Sequence, residues 1–356
     1  MDRVLPEEVR DLSSAQHPKP SSKLILHPAF KDTIKGLRDV NVALPRNSIE
    51  ESSQFPDKVF PPKYSKLTKV EESDKFSLDA QKGLDLISSR ISIAAYDESI
   101  NKFSALEGTA YLTSHALTIL GTDRYLPVIL LTFYFYSRSK YLAAKSGRVK
   151  YSQNPQMDSQ LDYMQDKIRF LLDYAPLNSL LFVDGPLIAG DVYVRLVSAM
   201  DEFVSRGIVP VFFVKNSDSN LIVDSMPKLA GRFNSDLHWA NDLLEPGERT
   251  SFYKYVDVTN PTRNAKVFCY FKSLRTSPAR VEFHSSVFDL YSDRVVSIMD
   301  LVHYLMLVQG DVSNPQIRPV AIAEKYARAA IRLIDLAHLM RLTGLQPTMN
   351  QERFAW

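Results

Sequence analysis

Leu180-Leu181-Phe182-Val183-Asp184-Gly185-Pro186-Leu187 decides how this chain is read. A short apolar run of this kind predicts a buried strand. Gly-Pro then ends it abruptly. Asp184 therefore falls at the carboxyl end of a central strand, where open α/β sheets place their ligands. A second run, Ile91-Ser92-Ile93-Ala94-Ala95-Tyr96-Asp97, has the same build. Two strands that both end in Asp would turn two carboxylates toward one crevice, a cradle for a hard divalent cation that prefers oxygen ligands. The competing reading is that each Asp only caps a turn, which is the common use of the residue.

The flanking segments supply a setting for these strands. Ser159 to Tyr174 reads as a helix with Leu161, Met164, Ile168, Leu171 and Leu172 on its core face. Val192 to Arg206 reads as a second helix, stopped by Gly207. Val209 to Val214 is again a strand, followed by Lys215. Strand, helix and strand over 180–214 make a βαβ unit, so its strands are expected to be parallel, with Asp184 and Lys215 at one edge. Upstream, Phe76 to Ser89 reads as a helix. The runs 91–96, 109–120 and 126–136 predict an antiparallel meander. Downstream, 216–250 is polar and suits short helices, and 265–273 with 280–283 suits a hairpin. Val295 to Val308 and Pro319 to Leu342 read as helices, the latter with Ile322, Tyr326, Ala329, Ala330 and Leu333 on one face. The expected fold class is α/β, an RNase H-like mixed sheet flanked by helices. An irregular N-terminal arm over 1–75, rich in Pro, Ser, Lys and Glu, precedes a nuclease-like domain over 76–345, and a tail follows over 346–356.

Composition excludes several classes. Of 356 residues, 45% are apolar and 24% charged, which is ordinary for a globular protein. A net charge of +2 gives no strong global field, so any nucleic-acid site must come from a local basic groove. The single cysteine, Cys269, excludes an internal disulfide and a cysteine-based zinc site. The N-terminal residues lack the apolar core of a signal peptide. The run Leu126 to Tyr136 is too short to span a bilayer and contains Pro127. A cytoplasmic protein without a membrane segment is expected. There is no P-loop, G-x-G-x-x-G, H-E-x-x-H or G-x-S-x-G. His115 and His338 lie in apolar patterns and read as structural.

The ordered motifs resemble the NurA nuclease family from about residue 85 to about 335. The family's first motif is a strand ending in Asp-Gly-Ser, matched by Asp97-Glu98-Ser99. Its second, a strand ending in Asp-Gly-Pro/Ser-Leu, is matched by Asp184-Gly185-Pro186-Leu187. Phe213-Val214-Lys215-Asn216-Ser217, Leu244-Glu245-Pro246-Gly247-Glu248-Arg249-Thr250 and Arg280-Val281-Glu282-Phe283 resemble three further segments. The resemblance implies a manganese-dependent deoxyribonuclease, with magnesium as the other candidate, of the single-strand endonuclease and 5′–3′ exonuclease type. It implies DNA end resection and repair, a homodimer, and a HerA-like hexameric ATPase as partner. That ATPase would be met by the C-terminal helix or the N-terminal arm.

By the same resemblance, Asp97 and Asp184 hold metal. The family also uses a Glu on the helix before the second motif; Asp166 is the nearest choice here, with Asp162 beside it. Lys215 could reach the scissile phosphate, and Arg249, Arg280 and Arg318 could line a DNA channel. The alternatives are solvated charges on a helix face and at a strand end. The family's C-terminal motif carries Tyr-Pro and then Ala-His. Aligned on the proline, Arg318 stands at the Tyr position and Tyr326 at the His position. Tyr is a poor metal ligand near neutrality, and Arg318 brings a permanent charge. The departures leave a divergent nuclease, one with altered metal use, or a non-catalytic DNA-binding or ATPase-adaptor protein, with RNA as an alternative substrate.

Overall fold

The computed structural model describes residues 10–11, 21–22, 58–60, 65–89 and most of 91–348, with omissions at 121–124, 146–147, 189–191, 230, 258–259, 261–262, 344 and 346. Most of the expected N-terminal arm and of the tail lies outside the described residues. The chain divides into Met1–Asn47 and Ser48–Trp356. In the first unit, Arg10–Asp11 (β1) pairs antiparallel with Ser21–Ser22 (β2). All else concerns the second.

The second unit is built on a mixed sheet flanked by helices, as expected. Its centre is Ser92–Ser104 (β6), Thr109–Leu120 (β7), Tyr125–Ser137 (β8), Ser179–Asp184 (β10) and Val209–Val214 (β11). β6, β7 and β8 form the antiparallel meander. β10 lies parallel to both β6 and β11, which confirms the βαβ reading. The hairpin Ala265–Lys272 (β14) and Ala279–His284 (β15) continues the sheet beyond β11. Tyr253–Asp257 (β13), Ser65–Lys69 (β4) and Lys58–Phe60 (β3) carry it further. Lys75–Ser77 (β5) pairs with Glu248–Thr250 (β12) beside β14. On the other side Val149–Tyr151 (β9) pairs with the end of β8 only.

Strand side chains alternate between faces. Ile93, Ala95, Leu180, Phe182, Val211 and Phe213 share one core cluster. Ala94, Tyr96, Leu181, Val183 and Phe212 share the other. The first is covered by Val295–Gln309 (α9) and the start of Arg318–Ile331 (α10). The second is covered by Pro155–Tyr174 (α3), Tyr193–Ser198 (α4) and Met200–Ser205 (α5). Both faces of the central strands are buried, which is why they read as continuous apolar runs and not as alternation. Ala80–Ser88 (α1) packs on α9 through Gly83, where an added Cβ would lie 2.4 Å from the Asp300 carbonyl oxygen.

Several helix expectations need correction. The first helix starts at Ala80, capped by Asp79, and Phe76 belongs to β5. The expected 192–206 helix is two, because the chain tightens at Ala199, whose N–H bonds to Leu196 three residues back. The expected 319–342 helix also breaks. Asp335 accepts the His338 N–H at 2.9 Å and so caps a new helix, Leu336–Leu342 (α11). The inward face of α10 is Val320, Ala323, Glu324, Ala327, Ala330 and Ile331, and not the face through Ile322, Tyr326 and Leu333. His338 is exposed, whereas His115 is buried. No described helix is long and apolar enough to cross a membrane.

Candidate active site

Register brings the two aspartates together. Val183 pairs with Tyr96, so Asp184 and Asp97 leave the parallel ladder side by side. By strand parity Asp97 follows Ala95, Asp184 follows Phe182 and Lys215 follows Phe213, all toward the helical layer of α9 and α10. Gly185 takes φ 93, a left-handed value that suits glycine, and its N–H bonds to the Phe213 carbonyl at 2.8 Å. The chain can therefore turn away directly after Asp184. Lys215 Nζ lies 3.2 Å from Asp184 Oδ2 and 3.2 Å from Glu324 Oε2. Glu324 descends from α10 and also accepts Gln316 Nε2 at 2.7 Å and pairs with Arg328.

The electrostatics are strained. The Asp97 carboxyl is pushed up to about 8 by burial, and by the negative charges of Asp184 and Glu98. Asp184 is also raised: burial outweighs the opposing pull of Lys215, and Glu98 and Glu324 add to the rise. Its Oδ1 is buried without a hydrogen-bond partner. Burial lowers Lys215, but Asp184 and Glu324 outweigh it and hold the ammonium above its usual range. Glu324 sits below its usual range: burial opposes ionisation, yet the Gln316 bond and Lys215 outweigh it. Lys215 satisfies Asp184 through Oδ2 alone, and a buried acceptor atom left unpaired is costly, so this edge calls for a further cation or donor at Oδ1.

Glu98 points to the opposite face, toward α3. Tyr163 donates its hydroxyl to Glu98 Oε1, and Lys167 Nζ lies 3.5 Å from Glu98 Oε2. Lys167 also sits 4.7 Å above the Tyr96 ring, whose hydroxyl shares a 2.7 Å hydrogen bond with His115 Nδ1. Burial pushes His115 down to about 4, so the imidazole is neutral. Asp166 is not part of this group. It accepts the Tyr134 hydroxyl at 2.9 Å, while Asp162 accepts Tyr136 and pairs with Lys150 at 2.6 Å. Tyr163 and Lys167, four residues apart, lie on one face of α3 and reach Glu98, while Asp166, roughly 100° of helix turn from Lys167, faces Tyr134.

The three arginines are placed elsewhere. Arg249 is 2% exposed, meets Glu71 through both terminal nitrogens at 2.7 and 2.8 Å, and lies against the Phe76 and Phe252 rings. Arg280 is buried between Glu282 at 2.8 Å, Ser217 at 2.7 Å and Tyr270 at 3.2 Å. Arg318 is exposed at the first residue of α10, where its charge opposes the rise that burial gives the Tyr125 hydroxyl at the start of β8. Tyr326 is half-buried, two residues past Glu324 and so on another side of α10. Thus the structure joins Asp97, Asp184 and Lys215, and leaves Asp166, Arg249, Arg280, Arg318 and Tyr326 apart. Sequence reasoning missed Glu324. Its signal was a carboxylate inside the apolar stripe Val320, Ala323, Ala327 and Ile331.

Among the described residues, no three His, Cys, Asp or Glu side chains form a ready metal cage. Two carboxylates with an orphaned oxygen still fit one divalent cation. Magnesium in particular is commonly held by one or two carboxylates plus substrate phosphates.

The expectation that both strands end in Asp holds for β10 alone: β6 continues to Ser104, and Asp97 lies within it at the point where the parallel ladder with β10 stops. The NurA domain family model matches residues 130–327, and the chain belongs to that family. Among solved structures it is similar to the NurA nuclease from Sulfolobus solfataricus, at 10% identity and TM-score 0.48 over 88% of this chain and 93% of that one. It is also similar to NurA with manganese, at 10% identity and TM-score 0.37 over 88% and 98%. A Ciona intestinalis endonuclease V in complex with DNA aligns at 12% identity and TM-score 0.36 over 69% and 87%. No curated protein matches the chain.

Proposed function

We propose that the protein is a divalent-metal-dependent nuclease that hydrolyses DNA phosphodiesters at the edge formed by Asp97 and Asp184. The observation that carries this reading is the desolvated carboxylate pair, with Asp97 pushed up to about 8 and Asp184 Oδ1 left without a partner. Perturbed acids of this kind cluster where chemistry is done. Asp97 and Asp184 would hold the cation, manganese or magnesium. When bound, it would polarise a phosphoryl oxygen and lower the pKa of a water.

The chain's own groups do the remaining work. Lys215 fixes the Asp184 carboxylate through the 3.2 Å contact and presents a positive charge to an approaching phosphate. Glu324 holds the lysine from the other side, and Gln316 and Arg328 hold Glu324. The family resemblance supports DNA end processing in the cytoplasm as a homodimer with a HerA-like ATPase. The exposed apolar row Ile129, Leu131 and Phe133 on β8 is a surface that a second copy would cover.

A second reading, a non-catalytic DNA-binding or ATPase-adaptor protein, is favoured by Lys167 and Lys215. Lys215 places an ammonium against Asp184 at this edge, and Lys167 places one against Glu98 on the opposite face of the sheet. One experiment separates the two: degradation of end-labelled single-stranded DNA and RNA with manganese, magnesium or EDTA, using wild type and Asp184→Asn. The nuclease reading expects metal-dependent DNA cleavage that Asp184→Asn abolishes. Equal cleavage by the variant would remove the site assignment, and metal-independent binding without cleavage would establish the adaptor.

A further inference from the structure

Two clefts lie side by side on the β14–β15 turn, the first of them lined by Lys215. The first, about 410 Å³, is bounded by Lys215 and Asn216 after β11, by Thr276 and Ser277 in the β14–β15 turn, and by Ser313 and Asn314 before α10. The second, about 530 Å³, lies across that turn and shares Thr276 and Ser277 with the first. Lys272 and Arg275 border it, with Glu245 as its one carboxylate. Together they make a path from the carboxylate edge over the tip of the hairpin.

The chemistry of this path is the reverse of the edge it leaves. The first cleft has hydroxyl and amide groups and one ammonium, and no carboxylate. Arg275 is exposed, and neither it nor Lys272 has an ion pair among the described residues. The walls are held in place. Asp311 Oδ1 accepts the backbone N–H groups of Ser313 at 2.9 Å and Asn314 at 3.2 Å. Gln316 ties the same loop to Glu324. Ser273 at the base of the hairpin shares a 2.8 Å bond with His303 of α9.

We infer that this double cleft is the track for one strand of DNA leaving the Asp97–Asp184 edge, with backbone phosphates on Lys215, Lys272 and Arg275. The inference rests on the nuclease reading for its starting point. Neither cleft is lined by an aromatic ring, so the strand is held by its backbone and not by stacked bases. Binding here is therefore insensitive to base sequence and strongly sensitive to salt.

The test is fluorescence anisotropy of labelled oligothymidylate and mixed-sequence oligonucleotides in EDTA across a salt series, so that cleavage plays no part. Lys272→Glu with Arg275→Glu reverses the charge, and Ser277→Trp fills the shared saddle; thermal melting checks that each variant folds. We expect each to weaken single-strand binding by about tenfold or more. The charge reversal should also flatten the salt dependence by about 0.7 per lost phosphate contact. Wild-type affinity and salt slope in both variants would overturn the track, as would equal affinity for a blunt duplex or no single-strand binding by wild type. Asp184→Asn separates this from the nuclease reading. If it binds like wild type and wild type never cleaves, the nuclease reading fails and the track stands.

Discussion

The sheet carries two clusters of buried charge, and they are solved in opposite ways. At the β15–β14 end, Glu282 is fully buried and meets Lys266 at 2.6 Å, Arg280 at 2.8 Å and the Leu187 N–H at 2.8 Å. Asp236 nearby accepts the N–H groups of Ile222 and Val223 and the hydroxyls of Ser219 and Tyr270. Burial opposes ionisation of Glu282, yet Lys266 and Arg280 outweigh it and hold the carboxyl below its usual range. Burial raises Asp236 to about 6, so the contrast lies with Glu282: at the β6–β10 end Asp97 and Asp184 are both raised, and among the described residues Asp184 Oδ1 has no partner. The first cluster is closed at its acids: every oxygen of Glu282 and Asp236 has a partner, Arg280 Nε alone being left over among the described residues, and Glu282 holds the turn after Asp184 by Leu187. The second keeps spare coordination capacity. The difference separates a structural use of buried charge from one that waits for a ligand.

The largest expected effect breaks the closed cluster. Glu282→Gln leaves Lys266 and Arg280 without their shared anion, and removal of one member of a buried pair costs about 3–5 kcal/mol. Urea denaturation should show that loss, with the Leu187 contact still available to the amide oxygen. A loss of less than about 1 kcal/mol would mean that the two clusters do not differ as described.

The open cluster should respond to metal in a way the closed one does not. A cation present at about a hundred times its Kd stabilises a folded protein by about 2.7 kcal/mol. Manganese should therefore raise the wild-type melting temperature, and Asp97→Asn or Asp184→Asn should remove that rise. Retention of the full rise in both variants would place any metal elsewhere.

How much of this was legible follows from geometry. The strands were readable because both faces of β6, β10 and β11 are buried and leave continuous apolar runs. The βαβ unit then put Asp184 and Lys215 at one sheet edge, and the like build of the two apolar runs put Asp97 beside Asp184. Helix-borne residues were harder. An error of one position on α3 exchanges Lys167 for Asp166, because neighbours on a helix diverge by roughly 100°. On α10, alignment on Pro319 directed attention to Tyr326, while Glu324 occupies the buried stripe. Arg249 is taken up by Glu71, which comes from distant sequence and could not be read locally, whereas the partner of Arg280, Glu282, stands two residues on along the same strand face and was within reach of the strand period.

The protonation of Asp97 gives the next test. Its carboxyl titrates near 8 in the fold and near the ordinary 3.9 when unfolded, so the native state binds more protons between these values. Stability from this group is then present at low pH and falls as pH rises through that window. In EDTA, Asp97→Asn should lose less stability than wild type between pH 5 and pH 8. Manganese should flatten the wild-type slope too, because it supplies the missing counter-charge. Parallel pH slopes for wild type and variant in EDTA would show that the pair is not strained.

The smallest effect defines where the open cluster stops. Glu98 raises both Asp97 and Asp184 through charge, yet its own contacts are Tyr163 and Lys167 on the α3 face. Tyr163→Phe deletes one hydrogen bond to a charged acceptor that keeps its lysine, so a cost of about 1.5–3 kcal/mol is the upper range and partial exposure of Glu98 places it at the lower end. The manganese-induced rise in melting temperature should be unchanged, because Asp97 and Asp184 face α9 and α10. Should that rise disappear with Tyr163→Phe, Glu98 and its α3 partners belong to the metal-responsive group, and the sheet does not divide the site from its support.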